Sequence, residues 1–185
     1  HIRGVSESNE YINITVKATN GATEPVLSKG ASITISDGVL KLTGIPAGVY
    51  EITEVSAPPH YSVAVGKNSQ SVRVENNAEV HPKVTFENQP YGSLTIRKID
   101  AQTQETLAGF YFQVINHTTG FEQTVETGKN GEVTIEDLTE GSYEVKELAA
   151  RFDYILDATP QIGEVDWGKE TVVVMKNKKK PSVEI

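Results

Sequence analysis

Two stretches decide how this chain is read: LTGIPAGVYEITEVSAPPHY at 42–61 and IEDLTEGSYEVKELAARFDY at 135–154. Laid over one another, Leu42 meets Ile135, Ile45 meets Leu138 and Gly48 meets Gly141. Tyr50 then meets Tyr143, Glu54 meets Glu147, Ala57 meets Ala150 and Tyr61 meets Tyr154. Matches held at one constant offset mark an internal repeat. A second match lies further on, where KVTFENQ (83–89) resembles VVVMKNK (172–178) and pairs Asn88 with Asn177. Each repeat is about 90 residues, an ordinary size for a β-sandwich domain. Pro90 and Gly92 interrupt the pattern in ENQPYGS (87–93), so the units are expected at 1–91 and 92–178, with 179–185 as a tail.

Outward from these stretches the apolar residues mostly alternate with polar ones. INITV (12–16), ASITI (31–35), VLKL (39–42), YEIT (50–53), YSVAV (61–65), SVRV (71–74) and KVTF (83–86) read as strands in the first repeat. SLTIRKI (93–99), FYFQVI (110–115), EVTI (132–135), YEVKE (143–147) and TVVVM (171–175) do so in the second. Turn signals separate them, among them Asp37-Gly38, Thr119-Gly120 and Asn130-Gly131. No long window carries a helical period. The fold class is therefore all-β, two tandem Ig-like sandwiches.

Composition narrows the function. The 185 residues carry 17 Lys and Arg against 25 Asp and Glu, a net charge of −8. Such a chain is poorly suited to nucleic acid, where phosphate neutralisation supplies most of the affinity, and no stretch is apolar for long enough to span a membrane. With no cysteine there is no disulfide frame and no thiolate metal site. His1, His60, His81 and His117 are scattered, so no metal and no cofactor are expected. Serines lack an elbow motif and there is no phosphate loop, so the chain does not read as an enzyme.

Three polar residues in the second repeat point the wrong way. Side chains alternate along a strand, so Lys98 continues the face of Leu94 and Ile96. By the same rule Glu147 continues the face of Tyr143 and Val145, and Asn177 that of Val173 and Met175. Strand ends often fray to solvent, and Lys and Glu are almost never fully buried unless paired. Three such residues from the first, middle and last strands of one unit suggest a shared buried place instead. Burial lowers a lysine pKa and raises a glutamate pKa. A neutral amine is a nucleophile, and a carboxamide beside it is an electrophile.

TIRKID (95–100), LAGFYF (107–112), NGEVTIEDL (130–138), GSYEVKE (141–147) and VVVMKN (172–177) together resemble the CnaB-type domains of Gram-positive pilins and surface adhesins. The resemblance covers 92–178 well and 1–91 less well. It implies that Lys98 attacks Asn177, that Glu147 is the acid/base, and that an intramolecular isopeptide bond forms with loss of ammonia. It further implies an extracellular, wall-attached structural protein, most specifically a minor or basal pilin. Its partners would be other pilin subunits joined by sortase, the peptidoglycan wall and a host surface protein. The alternatives are the stalk of a larger adhesin or a module that binds a host ligand.

The first repeat departs from the pattern. Glu54 and Asn88 are in phase with their apolar rows, but Lys17 lies opposite the face of Ile12, Ile14 and Val16. Lys17, Glu54 and Asn88 form a second isopeptide site only if a bulge turns Lys17 inward. VHPK (80–83) resembles the pilin motif whose lysine receives the next subunit, which makes Lys83 a candidate sortase-linkage residue with His81 in place of the usual Tyr. Lys83 and Thr85 should face out, with Val84 and Phe86 facing in. KNKKKPSVEI (176–185) loses its strand pattern at Asn177, and its Lys run followed by Pro181 and Ser182 reads as a solvated tail.

Overall fold

The computed structural model describes residues 2–5, 11–20, 31–76 and 81–183, and among these it is all-β. The chain forms two compact units, His1–Gln89 and Pro90–Ile185. Pro90 accepts a hydrogen bond from Gly168 N (2.9 Å), and the Tyr91 and Trp167 rings lie 6.1 Å apart, so both residues belong to the second unit.

In the second unit the strands are β9 (Gly92–Asp100), β10 (Tyr111–Asn116), β11 (Phe121–Glu126), β12 (Glu132–Leu138), β13 (Gly141–Ala149), β14 (Gln161–Val165) and β15 (Glu170–Asn177). One sheet has the order β11-β10-β13-β14 and the other β12-β9-β15. The inward rows are those the alternation marks: Leu94 and Ile96, Phe112 and Val114, Tyr143 and Val145, Val173 and Met175, all buried in one cluster. Each such side chain contributes about 1.5–3 kcal/mol by leaving water. The first and last strands lie side by side and parallel, Lys98 beside Met175 and Asp100 beside Asn177.

Strands β11 and β14 escaped the sequence reading. β11 is mostly exposed and polar, so it shows no apolar row. β14 is interrupted by Gly163, which is there for want of space. A Cβ would lie 2.6 Å from Leu94 Cδ1 and 2.9 Å from Val173 Cγ2. Gly163→Val is therefore expected to cost about 1–3 kcal/mol by overpacking, read as a lowered denaturant midpoint with an unchanged slope.

The first unit contains β1 (Ile2–Val5), β2 (Tyr11–Asn20), β3 (Ser32–Ser36), β4 (Val39–Thr43), β5 (Gly48–Glu54), β6 (Tyr61–Val63), β7 (Ser69–Val74) and β8 (Asn88–Pro90), which ends on the first residue of the second unit. Its sheet runs β1-β2-β5-β7, with β3-β4 and β6-β8 as separate pairs. Asp37 and Gly38 take φ of 52° and 70°, as a tight hairpin turn between β3 and β4 requires. β1 was not expected, and KVTF (83–86) is not a strand; the last strand begins later, at Asn88. Pro82, which has no N–H to give a ladder, stands just before that stretch.

The repeated tyrosines explain the repeat. Tyr50 Oη donates to Pro46 O (2.7 Å) and Tyr143 Oη to Thr139 O (2.9 Å), each four residues back. Both rings are buried, and each hydroxyl closes the turn that leads into its strand, the arrangement of a tyrosine corner. Tyr143→Phe is expected to cost about 1 kcal/mol, because a half-buried acceptor loses its donor; a thermal melt would show it.

Candidate functional site

The site of the second unit is assembled from three strand ends. Lys98 (0 % exposed), Glu147 (1 %) and Asn177 (2 %) each extend an apolar row inward by one more period of two. Lys98 and Asn177 come from the neighbouring parallel strands β9 and β15, while Glu147 reaches them from β13 in the facing sheet. Lys98 Nζ donates to Glu147 Oε2 at 2.9 Å, and Asn177 Nδ2 donates to Glu147 Oε1 at 2.6 Å. The carboxylate thus bridges the amine and the carboxamide. Asn177 Oδ1 is buried with no hydrogen-bond partner.

Aromatic rings close the amine's other side. Lys98 Nζ lies 5.0 Å from the centroid of Phe110 and 5.8 Å from that of Phe112. Burial pushes the Lys98 pKa below that of an ordinary lysine; the hydrogen bond and charge of Glu147, and then the charge of Asp157, oppose it. Burying an ammonium costs several kcal/mol, which is the physical cause of the lowered Lys98 value. The arrangement thus holds a lysine inclined to lose its proton, a carboxylate placed to take it, and a carboxamide on the same carboxylate.

The first unit holds half of this arrangement. Glu54 is buried at the end of β5, and Asn88 Nδ2 donates to Glu54 Oε1 at 2.9 Å. Asn88 Oδ1, like its counterpart, is buried without a partner. Lys17 does not join them. It is exposed and stands opposite Glu51, while Ile14 stands opposite Glu54. There is a topological reason beyond the phase: β2 pairs with β5 as β10 pairs with β13, Ile14 against Glu54 as Phe112 against Glu147. Lys17 therefore belongs to the glutamate-bearing sheet and does not occupy the place of Lys98.

Lys83 and Thr85 are exposed, and Val84 and Phe86 half-buried, although the segment is not a strand. The expected tail is partly held. Ile155 N donates to Lys178 O (2.9 Å) and Lys180 N to Asp153 O (2.8 Å), so Lys178–Lys180 runs along residues 153–155. Asp100 is not among the residues that the alternation singled out. Its Oδ1 does accept from Gln102 N and Thr103 N (2.7 and 2.9 Å), but its Oδ2 accepts from the buried Tyr154 hydroxyl at 3.0 Å. The legible signal was phase, since Asp100 continues the inward row Leu94, Ile96, Lys98. Among the described residues no three His, Cys, Asp or Glu side chains gather as a metal site, and no helix is long and apolar enough to cross a membrane.

Two tandem β-sandwich units, one with an amine, carboxylate and carboxamide buried together, define the class. The model of the SpaA prealbumin-like fold domain matches the chain twice, at residues 6–90 and 92–179. The chain belongs to that family. Among solved structures it is similar to the Bacillus anthracis TIE protein, with 24 % identity over 90 % of this chain and 34 % of that one, TM-score 0.48. It is also similar to GBS52, the minor pilin of Streptococcus agalactiae, with 20 % identity over 80 % of this chain and 67 % of that one, TM-score 0.44. A third is the group B streptococcus pilus 2b backbone protein, with 16 % identity, 97 % and 90 % coverage and TM-score 0.49. The chain thus spans about a third of the TIE protein. No curated protein matches it.

Proposed function

We propose that this chain is a structural subunit of a sortase-assembled surface pilus, a minor or basal pilin whose second unit crosslinks itself. The observation that carries this reading is the buried bridge of Lys98 and Asn177 through Glu147. The Lys98 ammonium gives a proton to the Glu147 carboxylate. Its free Nζ attacks Asn177 Cγ, forming the new C–N bond. Glu147 returns the proton to the departing Nδ2, the old C–N bond breaks, and nitrogen leaves as ammonia, which takes the second proton of the amine as ammonium. The product joins the first strand of the unit to its neighbour, the last. Tension between the unit's ends then falls on a covalent link and not on a row of hydrogen bonds. Lys83, exposed in the first unit, is the lysine proposed to receive another subunit from sortase.

Intact mass tests the crosslink. The purified chain is expected about 17 Da lighter than its sequence, one ammonia per bond, with the deficit mapped to a peptide joining Lys98 to Asn177. A folded wild-type chain at full sequence mass would remove the reading. A conjugate at Lys83, formed with sortase and a shaft subunit and lost in Lys83→Ala, tests the pilin assignment against an adhesin stalk.

A pH dependence follows for a variant that keeps the amine free. In Asn177→Ala, Lys98 remains titratable with its folded pKa below the ordinary 10.5 of the unfolded chain. Between those two values the unfolded state binds the extra proton, so stability rises with pH across that window. Denaturant melts at rising pH below the ordinary lysine value should show the rise. Lys98→Met/Asn177→Ala should lack it.

A further inference from the structure

Asn177 is gripped from both sides by parts of the second unit that take no role in the chemistry above. Its own carbonyl accepts from Ala101 N at 2.8 Å, at the end of β9. The next carbonyl, of Lys178, accepts from Ile155 N, and Lys180 N reaches Asp153 O. Tyr154 and Lys179 form a β-bridge between these bonds. The 151–155 loop is in turn fastened to β9 by one buried side-chain bond, Tyr154 Oη to Asp100 Oδ2 at 3.0 Å. The Tyr154 ring meets the Phe110 ring edge-on, centroids 5.5 Å apart, and Phe110 is the ring 5.0 Å from Lys98 Nζ. Arg151 covers Phe110 and Tyr154 from outside and is held by a two-point fork to Asp153.

We propose that Asp100 and Tyr154 are positioning residues for the crosslink: their bond latches the 151–155 loop to β9, and that loop holds the chain on the C-terminal side of Asn177 in the attack geometry. This rests on the crosslinking reading above. The latch acts through the loop, because one hydroxyl–carboxylate bond joins the strand bearing Lys98 to the residues whose backbone bonds hold the segment following Asn177. It also sets Phe110 against the amine, so the same bond governs how dry the nucleophile is. Small misplacements of a reacting pair cost rate steeply, about a hundredfold for roughly 1 Å.

The test follows the rate of ammonia loss in the full chain, released from cell-free synthesis and quenched at intervals for intact mass. Tyr154→Phe removes only the hydroxyl and is expected to slow crosslinking about tenfold or more. Lys180→Pro, which removes the N–H that reaches Asp153, should slow it as well. Asp100→Asn should retain most of the rate, because its carboxamide still caps the turn and can donate to a tyrosine hydroxyl, which accepts as well as donates. In the Tyr154→Phe background, Asp100→Asn should add no further loss. The same substitutions in Glu147→Ala, which cannot crosslink, give the folded fraction by near-ultraviolet circular dichroism. Wild-type rates in Tyr154→Phe, or a rate that falls only as far as the folded fraction does, overturns the proposal while leaving the crosslink intact. A wild-type chain that never loses ammonia overturns the crosslinking reading itself, and the latch with it.

Discussion

Lys98→Ala is expected to produce the largest loss of stability of any single substitution in the second unit. Two effects combine. The proposed bond closes most of the unit into a loop, which constrains the unfolded chain by about 4–5 kcal/mol in the chain-entropy model. The substitution also leaves the Glu147 side chain buried without the donor that Lys98 Nζ provides, and a buried polar group stripped of its partner costs about 1–3 kcal/mol, more when it is charged. The two act on one site and are not strictly additive. For a unit of this size each kcal/mol moves the melting temperature by about 4–8 °C, so the transition of this unit should fall by tens of degrees. The second effect can be separated from the first. Lys98→Met/Glu147→Leu removes both polar groups and fills the space with apolar atoms, so it should recover the part due to the stranded Glu147 side chain and not the crosslink part. If it melts no higher than Lys98→Ala, the stranded carboxylate is not the source of the additional loss.

Phe110→Ala is expected to follow closely. The ring is wholly buried, in contact with Tyr154 on one edge and with the Lys98 ammonium on its face. Truncating a buried phenylalanine costs about 3–5 kcal/mol through lost transfer energy and the cavity left behind. The vacated volume lies against the amine, and water entering it would lift the burial that holds the Lys98 pKa down. Crosslinking should therefore slow as well as the melting temperature fall. Phe110→Leu, which keeps much of the apolar volume, should lose less of both. A Phe110→Ala chain that melts lower yet crosslinks at the wild-type rate would reduce the ring to packing.

The parts of the site legible in the sequence are those carried by the two-residue period. Lys98, Glu147 and Asn177 were found because each ends an apolar row, and phase along a strand is a property of a few consecutive residues. The same argument placed Lys17 outward and Lys83 outward, and both are exposed. It failed where a strand has no apolar row to show, as in β11, or where a glycine replaces a side chain for lack of space, as at Gly163. It also extended KVTF as a strand where the chain pairs only from Asn88.

What the sequence by itself determined is the repeat, the all-β class and the inward direction of Lys98, Glu147 and Asn177. All of these follow from local alternation and from a pattern that recurs. What only the tertiary structure decided is which strand lies beside which. β2 pairs with β5, so Lys17 sits in the sheet that bears Glu54. Lys178–Lys180 lies along the 153–155 loop, and Tyr154 reaches Asp100 across 54 positions of chain. No local pattern encodes these neighbours. They are fixed by the packing of two sheets around one core, where a partner distant in sequence is chosen by the space and the unpaired donors left once the rest of the unit has closed.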